Sequence, residues 1–94
     1  MNKHELNTLR QEVSDLNCEI LKLLVERGEA VQKLGDYKRA HQMPIHDPKR
    51  EEEILEEISN MQHAPYPLES IQEIYQAIFN AAKDIQYLQR HKVK

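Results

Sequence analysis

A regular apolar seam runs through residues 1–40 and predicts one long helix. Apolar side chains recur there at alternating intervals of three and four residues: Leu6, Leu9, Val13, Leu16, Ile20, Leu23, Ala30, Leu34 and Tyr37. This heptad spacing is typical of a helix that packs lengthwise against another helix. The stretch contains no proline, and its first glycine is Gly28. We therefore expect a helix over residues 3–40.

A charged residue interrupts this seam. Arg27 occupies the position that follows Leu23 in the heptad rhythm. Because a guanidinium keeps its proton and is costly to bury unpaired, we expect Arg27 to face an anion. The sequence leaves two kinds of partner open, a glutamate of another helix such as Glu51 or a bound ligand. A buried ion pair would not by itself indicate function.

Two proline-containing breaks divide the rest of the chain into two further helices. Pro44 ends the first helix, and Asp47-Pro48 is a favoured N-cap followed by a favoured first helical residue. We expect the second helix over residues 48–61. The third is predicted over residues 68–90, with a seam of its own: Leu68, Ile71, Tyr75, Ile78, Ala82 and Ile85. The fold class is therefore a single all-α domain of one long, one short and one medium helix.

The long helix also predicts an assembly. At ~1.5 Å per residue it would be ~60 Å long, and the two shorter helices of the same chain would leave much of its seam poorly covered. Small chains often complete their core by oligomerisation. We expect a homodimer in which the long helices cross or run antiparallel.

Composition excludes several classes of function. The net charge of −3 argues against a nucleic-acid binder, and no apolar run approaches the length of a membrane span. Cys18 is the only cysteine, so no intrachain disulfide forms, and the five histidines lack the paired spacing of a metal site. We expect a cytoplasmic protein without a metal or a cofactor.

Two more cations flank the seam of the long helix. Arg27 and Lys38 lie ~16 Å apart along the axis, whereas Arg10 lies ~25 Å from Arg27. If two copies pair antiparallel near residue 21, Arg10 of the second copy comes level with residue 32, between the other two. Three cations would then surround one pocket. Taken alone, Arg10 and Lys38 are better explained by a solvated or ion-paired role.

Two other places offer polar groups. Arg50 and Glu51 follow the start of the second helix, where free backbone N–H groups favour an oxygen-bearing ligand. Gln86 lies one residue past the seam of the third helix and one turn beyond Ala82, where an amide beside a small residue is compatible with a cavity. In isolation, the pattern favours an exposed Gln86.

These residues resemble the AroQ-type chorismate mutases. The resemblance extends over about residues 5–89 and rests on four ordered elements: Leu9-Arg10, Leu23-Leu24-Val25-Glu26-Arg27, Lys38, and Ile45-His46-Asp47-Pro48-Lys49-Arg50-Glu51. The Arg27-Gly28 pair and the Asp47-Pro48-x-Arg50-Glu51 run are most similar to the mutase domain fused in front of 3-deoxy-D-arabino-heptulosonate-7-phosphate synthases in some Gram-positive bacteria. Such a synthase is therefore an expected fused or associated partner.

The resemblance implies an intertwined helical homodimer with two sites, each shared between the protomers. The implied reaction is the Claisen rearrangement of chorismate to prephenate, which needs no cofactor. By position, Arg10 of the partner chain and Arg27 would hold the substrate carboxylates. Lys38 and Gln86 would donate hydrogen bonds to the ether oxygen.

The resemblance also implies which residues contact the opposite side of the substrate. Glu51, with the backbone near Asp47, would bind the ring hydroxyl, and Arg50 would border the pocket. Family members often carry a serine where this chain has Ala82, so one carboxylate contact is expected to be missing here.

Three other functions fit the same residues. An isochorismate-pyruvate lyase would have a similar fold and anion pocket. A regulatory domain would use the pocket to sense chorismate or prephenate and to control an attached synthase. A non-catalytic helical dimerisation module would be stabilised by Arg27→Leu and would lose no function.

Overall fold

The computed structural model describes residues 2–92, and these form three α-helices and no strand. α1 is Lys3–Ala40, α2 is Pro48–Ser59 and α3 is Leu68–Lys92. The prediction of an all-α chain with a long, a short and a medium helix is confirmed. α2 ends two residues before the predicted residue 61, and α3 extends two residues beyond the predicted residue 90.

Local hydrogen bonds define both ends of α1. At its start, Asn2 Oδ1 accepts from the Glu5 backbone N–H at 2.8 Å. At its end, Gln42 adopts the left-handed conformation with φ 56°, and the Met43 N–H donates to the Lys38 carbonyl at 2.7 Å. This is the Schellman pattern of a helix C-terminus, here with a glutamine where glycine is usual. It turns the chain sharply toward Ile45.

Capping explains the bounds of α2. Asp47 is its N-cap, as predicted, and its Oδ1 accepts from the Arg50 N–H at 3.1 Å. At the other end, the Ser59 hydroxyl donates to the Glu56 carbonyl at 2.8 Å, and the Asn60 N–H is shared among carbonyls of the last turn. Such competing bonds tighten a final turn, so α2 ends at Ser59.

Two long-range hydrogen bonds tie the end of α3 to earlier parts of the chain. Gln89 Nε2 donates to the Gln32 carbonyl at 3.0 Å, and the Arg90 guanidinium donates to the Met43 carbonyl. These bonds order the C-terminal turns and explain why α3 continues past residue 90. Val93 and Lys94, which belong to the basic tail of the sequence, lie outside the described residues.

By its internal contacts the chain divides into two units, residues 1–30 and 31–94. Within residues 2–30 no side chain is fully buried, and the apolar seam is open: Leu6, Leu9, Val13, Leu16, Ile20 and Leu23 are 38–64% exposed. The first unit therefore has no core of its own.

The second unit has a small core of Val31, Ile45 and Phe79. On the last turns of α1 the buried positions are Val31, Gly35 and Lys38, each one residue after the predicted seam positions. Predicted seam residues Leu34 and Tyr37 are 49% and 55% exposed, so the face that packs inside this unit differs from the heptad face. No helix within residues 2–92 is long and apolar enough to span a membrane.

Candidate active site

Lys38 is the most unusual residue of the second unit. Its side chain is only 6% exposed, and its Nζ donates to the Ile45 carbonyl at 3.1 Å. No carboxylate of the described residues lies within 4 Å of it. A solvated role for Lys38 is therefore wrong. A buried ammonium has three donors, and one backbone carbonyl leaves the others free to bind an external acceptor.

Gln86 is buried as well, which contradicts the exposure expected from its position beside the seam. The residue is 5% exposed, and its Nε2 makes only a long 3.4 Å contact with the Ala82 carbonyl. Its Oε1 is buried and finds no hydrogen-bond partner among the described residues. Because buried side-chain amides normally satisfy these groups, Gln86 retains hydrogen-bonding capacity that the fold itself does not use.

The helices that carry Lys38 and Gln86 approach each other closely at Gly35. A Cβ added at Gly35 would lie 3.1 Å from Gln86 Cγ and would overlap Gln89 Oε1, so α3 approaches α1 where a side chain is missing. Lys38 follows Gly35 by three residues and therefore shares its helix face. The two buried polar side chains thus extend from facing helices of one unit.

Glu51 supplies an acceptor from the first turn of α2. Its side chain is 19% exposed, and Oε2 lies 3.4 Å from Lys83 Nζ and 3.8 Å from His46 Nε2. Both contacts fall on the same oxygen, which leaves Oε1 available to accept another hydrogen bond. Lys83 precedes Gln86 by three residues and lies on the same face of α3.

The other predicted residues of this unit have more ordinary environments. Asp47 is the N-cap of α2, and Ala82 is half-buried with its carbonyl near Gln86 Nε2. Arg50 Nη1 lies 3.7 Å from Glu57 Oε1, and both side chains are more than half exposed. Such an exposed ion pair contributes little to stability, so Arg50 remains free to reorient toward a ligand.

Arg10 and Arg27 belong to the first unit, residues 1–30. Arg10 is exposed and Arg27 is half-buried. Neither guanidinium pairs with a carboxylate among residues 2–30. Within their own unit, both arginines are therefore unneutralised cations on the helix that carries the open seam.

Sequence reasoning missed two residues of the second unit, Gly35 and Lys83. Each lies three residues from a predicted site residue, Gly35 from Lys38 and Lys83 from Gln86. Helical spacing was therefore the available signal. For Gly35 the heptad pattern predicts a packing surface one position away, and for Lys83 the partner Glu51 is distant in the sequence.

These side chains of the second unit have the chemistry needed to bind a polar organic anion. Lys38 and Gln86 offer buried hydrogen-bond donors, and Glu51 offers an acceptor. None of the three is hydrogen-bonded to a serine or cysteine nucleophile. The arrangement suits a reaction that is accelerated by orientation and by fixed hydrogen bonds rather than by covalent catalysis.

Comparison with known proteins adds independent information. The family described as chorismate mutase type II matches residues 9–87 of the chain. A curated relative, the bifunctional chorismate mutase/prephenate dehydratase of Aquifex aeolicus, is 36% identical over 86 residues, or 87% of this chain. The chain spans only 24% of that relative's length.

Solved structures match the fold over nearly the whole chain. Chorismate mutase (form II) from Thermus thermophilus is 40% identical with a TM-score of 0.86, and the match covers 88% of this chain and 94% of that one. Chorismate mutase from Helicobacter pylori, solved in complex with prephenate, is 29% identical with a TM-score of 0.91. That match covers 98% of this chain and all of the other.

Proposed function

Because this chain belongs to the chorismate mutase type II family, we propose that it converts chorismate to prephenate by Claisen rearrangement. The observation that carries the proposal is the burial of two polar side chains, Lys38 and Gln86. The Lys38 ammonium donates to one carbonyl, and the Gln86 Nε2 has only a long 3.4 Å contact with the Ala82 carbonyl. The prephenate complex of the similar Helicobacter pylori protein supports the same ligand class.

The reaction needs no nucleophile and no proton transfer. It is unimolecular and pericyclic, so the protein first has to hold the substrate in its folded, reactive conformation. We assign the two substrate carboxylates to Arg27 and to Arg10 of a second chain. Guanidinium groups bind carboxylates through two parallel hydrogen bonds, which fixes orientation as well as charge.

The buried donors act when the ether bond breaks. Negative charge then develops on the ether oxygen, and the Lys38 ammonium and the Gln86 amide stabilise it by donating hydrogen bonds. Donors that are already fixed in a buried site stabilise the transition state more than the ground state. This difference is what raises the rate.

The remaining residues determine how the ring is held. Glu51 accepts a hydrogen bond from the ring hydroxyl through its free oxygen, with the backbone near Asp47 beside it. Arg50 borders the pocket after turning away from Glu57. The Ala82 side chain can make no hydrogen bond to the substrate, so carboxylate binding at that place relies on the arginines.

The site is complete only in a homodimer. The support is the open seam of the first unit, where six apolar side chains at heptad positions are 38–64% exposed. A heptad seam fits another heptad seam, and a second copy carries the matching one. Antiparallel pairing near residue 21 then brings Arg10 of one chain toward the donors of the other.

The sequence and the relatives suggest which enzymes this domain works with and where. The bifunctional relative carries a prephenate dehydratase activity, whereas the Asp47-Pro48-x-Arg50-Glu51 run is the basis for proposing a fused or associated 3-deoxy-D-arabino-heptulosonate-7-phosphate synthase. In either setting the domain would act in aromatic amino acid biosynthesis in the cytoplasm.

The direct test is an assay of the purified chain with chorismate. We expect loss of chorismate absorbance and appearance of an equal amount of prephenate, identified by mass and chromatography. Isochorismate serves as the competing substrate, and we expect no pyruvate from it. Pyruvate release would instead assign a lyase, and binding of chorismate without turnover would assign a regulatory domain.

A further inference from the structure

Glu51 is the only carboxylate among residues 31–92 that lies within 4 Å of two basic side chains. Lys83 Nζ lies 3.4 Å from its Oε2, and His46 Nε2 lies 3.8 Å from the same atom. Lys83 is 21% exposed, whereas His46 is 54% exposed. Lys83 is therefore the nearer and the better shielded of the two partners.

The charge of the proposed substrate gives the Lys83–Glu51 ion pair a role in substrate binding. It is a dianion, and a bare carboxylate beside it would repel it in a site of reduced dielectric constant. Yet the site also needs the Glu51 carboxylate, because the ring hydroxyl requires an acceptor. A cation held on the far oxygen of Glu51 meets both requirements.

We propose that Lys83 is a positioning residue that neutralises Glu51 and orients its carboxylate for the ring hydroxyl. Lys83 holds Oε2, which turns Oε1 toward the substrate. The inference rests on the proposed function and extends it to a residue that has no contact with the reacting bond. Its effect should fall on substrate binding rather than on the chemical step.

The Lys83 ammonium pairs with Glu51, although it could instead be solvated or pair with Asp84. Lys83 lines a surface groove together with His46, Asn80, Asp84 and Tyr87, so its ammonium also has access to solvent. The Lys83 Nζ nevertheless contacts the carboxylate of Glu51, which is 32 residues earlier in the chain, and is not within 4 Å of the carboxylate of neighbouring Asp84. The ion pair therefore joins α2 to α3 at the site, which a local helix contact would not do.

The test compares two single variants, each of which replaces one lysine with methionine. We expect Lys83→Met to raise KM for chorismate about tenfold, equivalent to about 1.4 kcal/mol, with kcat nearly unchanged. Lys49→Met removes an exposed lysine from the first turn of α2 and should leave KM near the wild-type value. Lys83→Arg should restore most of the lost affinity. Thermal unfolding of each variant reports whether the fold is intact.

A double-mutant cycle decides whether Lys83 acts through Glu51. In a Glu51→Gln background, Lys83→Met should change KM by less than about twofold, because coupled residues give non-additive effects.

Other results would overturn the assignment. An equal KM effect in both backgrounds, or the same effect from Lys49→Met, would show that Lys83 does not act through Glu51. A wild-type chain that fails to convert chorismate would overturn the proposed function itself. An active wild type with additive variants would overturn only the role of Lys83.

Discussion

Replacing Lys38 with alanine should lower kcat for chorismate by about a hundredfold to a thousandfold, the loss expected when one fixed donor to a developing oxyanion is removed. Lys38 is 6% exposed and makes a single hydrogen bond to the Ile45 carbonyl. Its remaining donors therefore have no partner among residues 2–92. KM should change much less, because the ether oxygen carries little charge before its bond breaks.

Two further measurements separate chemistry from packing. Lys38→Met keeps most of the apolar stem but has no donor, so it should be nearly as inactive as Lys38→Ala while filling more of the space. Initial-rate assays give kcat, and thermal unfolding gives stability. If Lys38→Met retained wild-type kcat, Lys38 would have no part in the reaction.

Replacing Gln86 with glutamate should make an otherwise flat pH profile steep. In the proposed mechanism the Gln86 amide donates to the ether oxygen, and an amide does not titrate, so the wild-type kcat should stay nearly constant from about pH 6 to about pH 8. A carboxyl group donates a hydrogen bond only while protonated. Once ionised, it repels the developing negative charge. The kcat of Gln86→Glu should therefore fall as pH rises.

The buried position of Gln86 strengthens this expectation. Burial raises the pKa of a carboxyl above its ordinary value of about 4.3, so the introduced group would titrate closer to neutral pH. Gln86→Leu, which has no donor, should be slow at every pH. Unfolding curves at each pH serve as the control for stability. Identical pH profiles for wild type and Gln86→Glu would exclude Gln86 from the ether oxygen.

Local signals in the sequence were sufficient for the helices. Proline breaks, the Asp47 cap and regular apolar spacing predicted three helices in the observed order. The C-terminal end of α3 was less predictable, because long-range bonds tie it to earlier parts of the chain. Arg90, for example, donates to the Met43 carbonyl, which no local pattern indicates.

The site was predictable in its residue types but not in its packing. Lys38 and Gln86 were selected by resemblance, whereas their burial depends on Gly35, whose lack of a side chain lets α3 approach. The heptad pattern obscured this because it describes a different face of α1. Lys83 was missed for a related reason, since its partner Glu51 is distant in sequence and only the tertiary fold joins them.

The central claim is that two copies build each site, with Arg10 from one chain and Lys38 from the other. The most direct measurement mixes two inactive variants, Arg10→Ala and Lys38→Ala, unfolds them together and refolds them. Half of the dimers should then be mixed, and each mixed dimer should hold one intact site and one doubly altered site. We predict recovery of about a quarter of wild-type activity. A mixture no more active than its separate components would contradict the shared site.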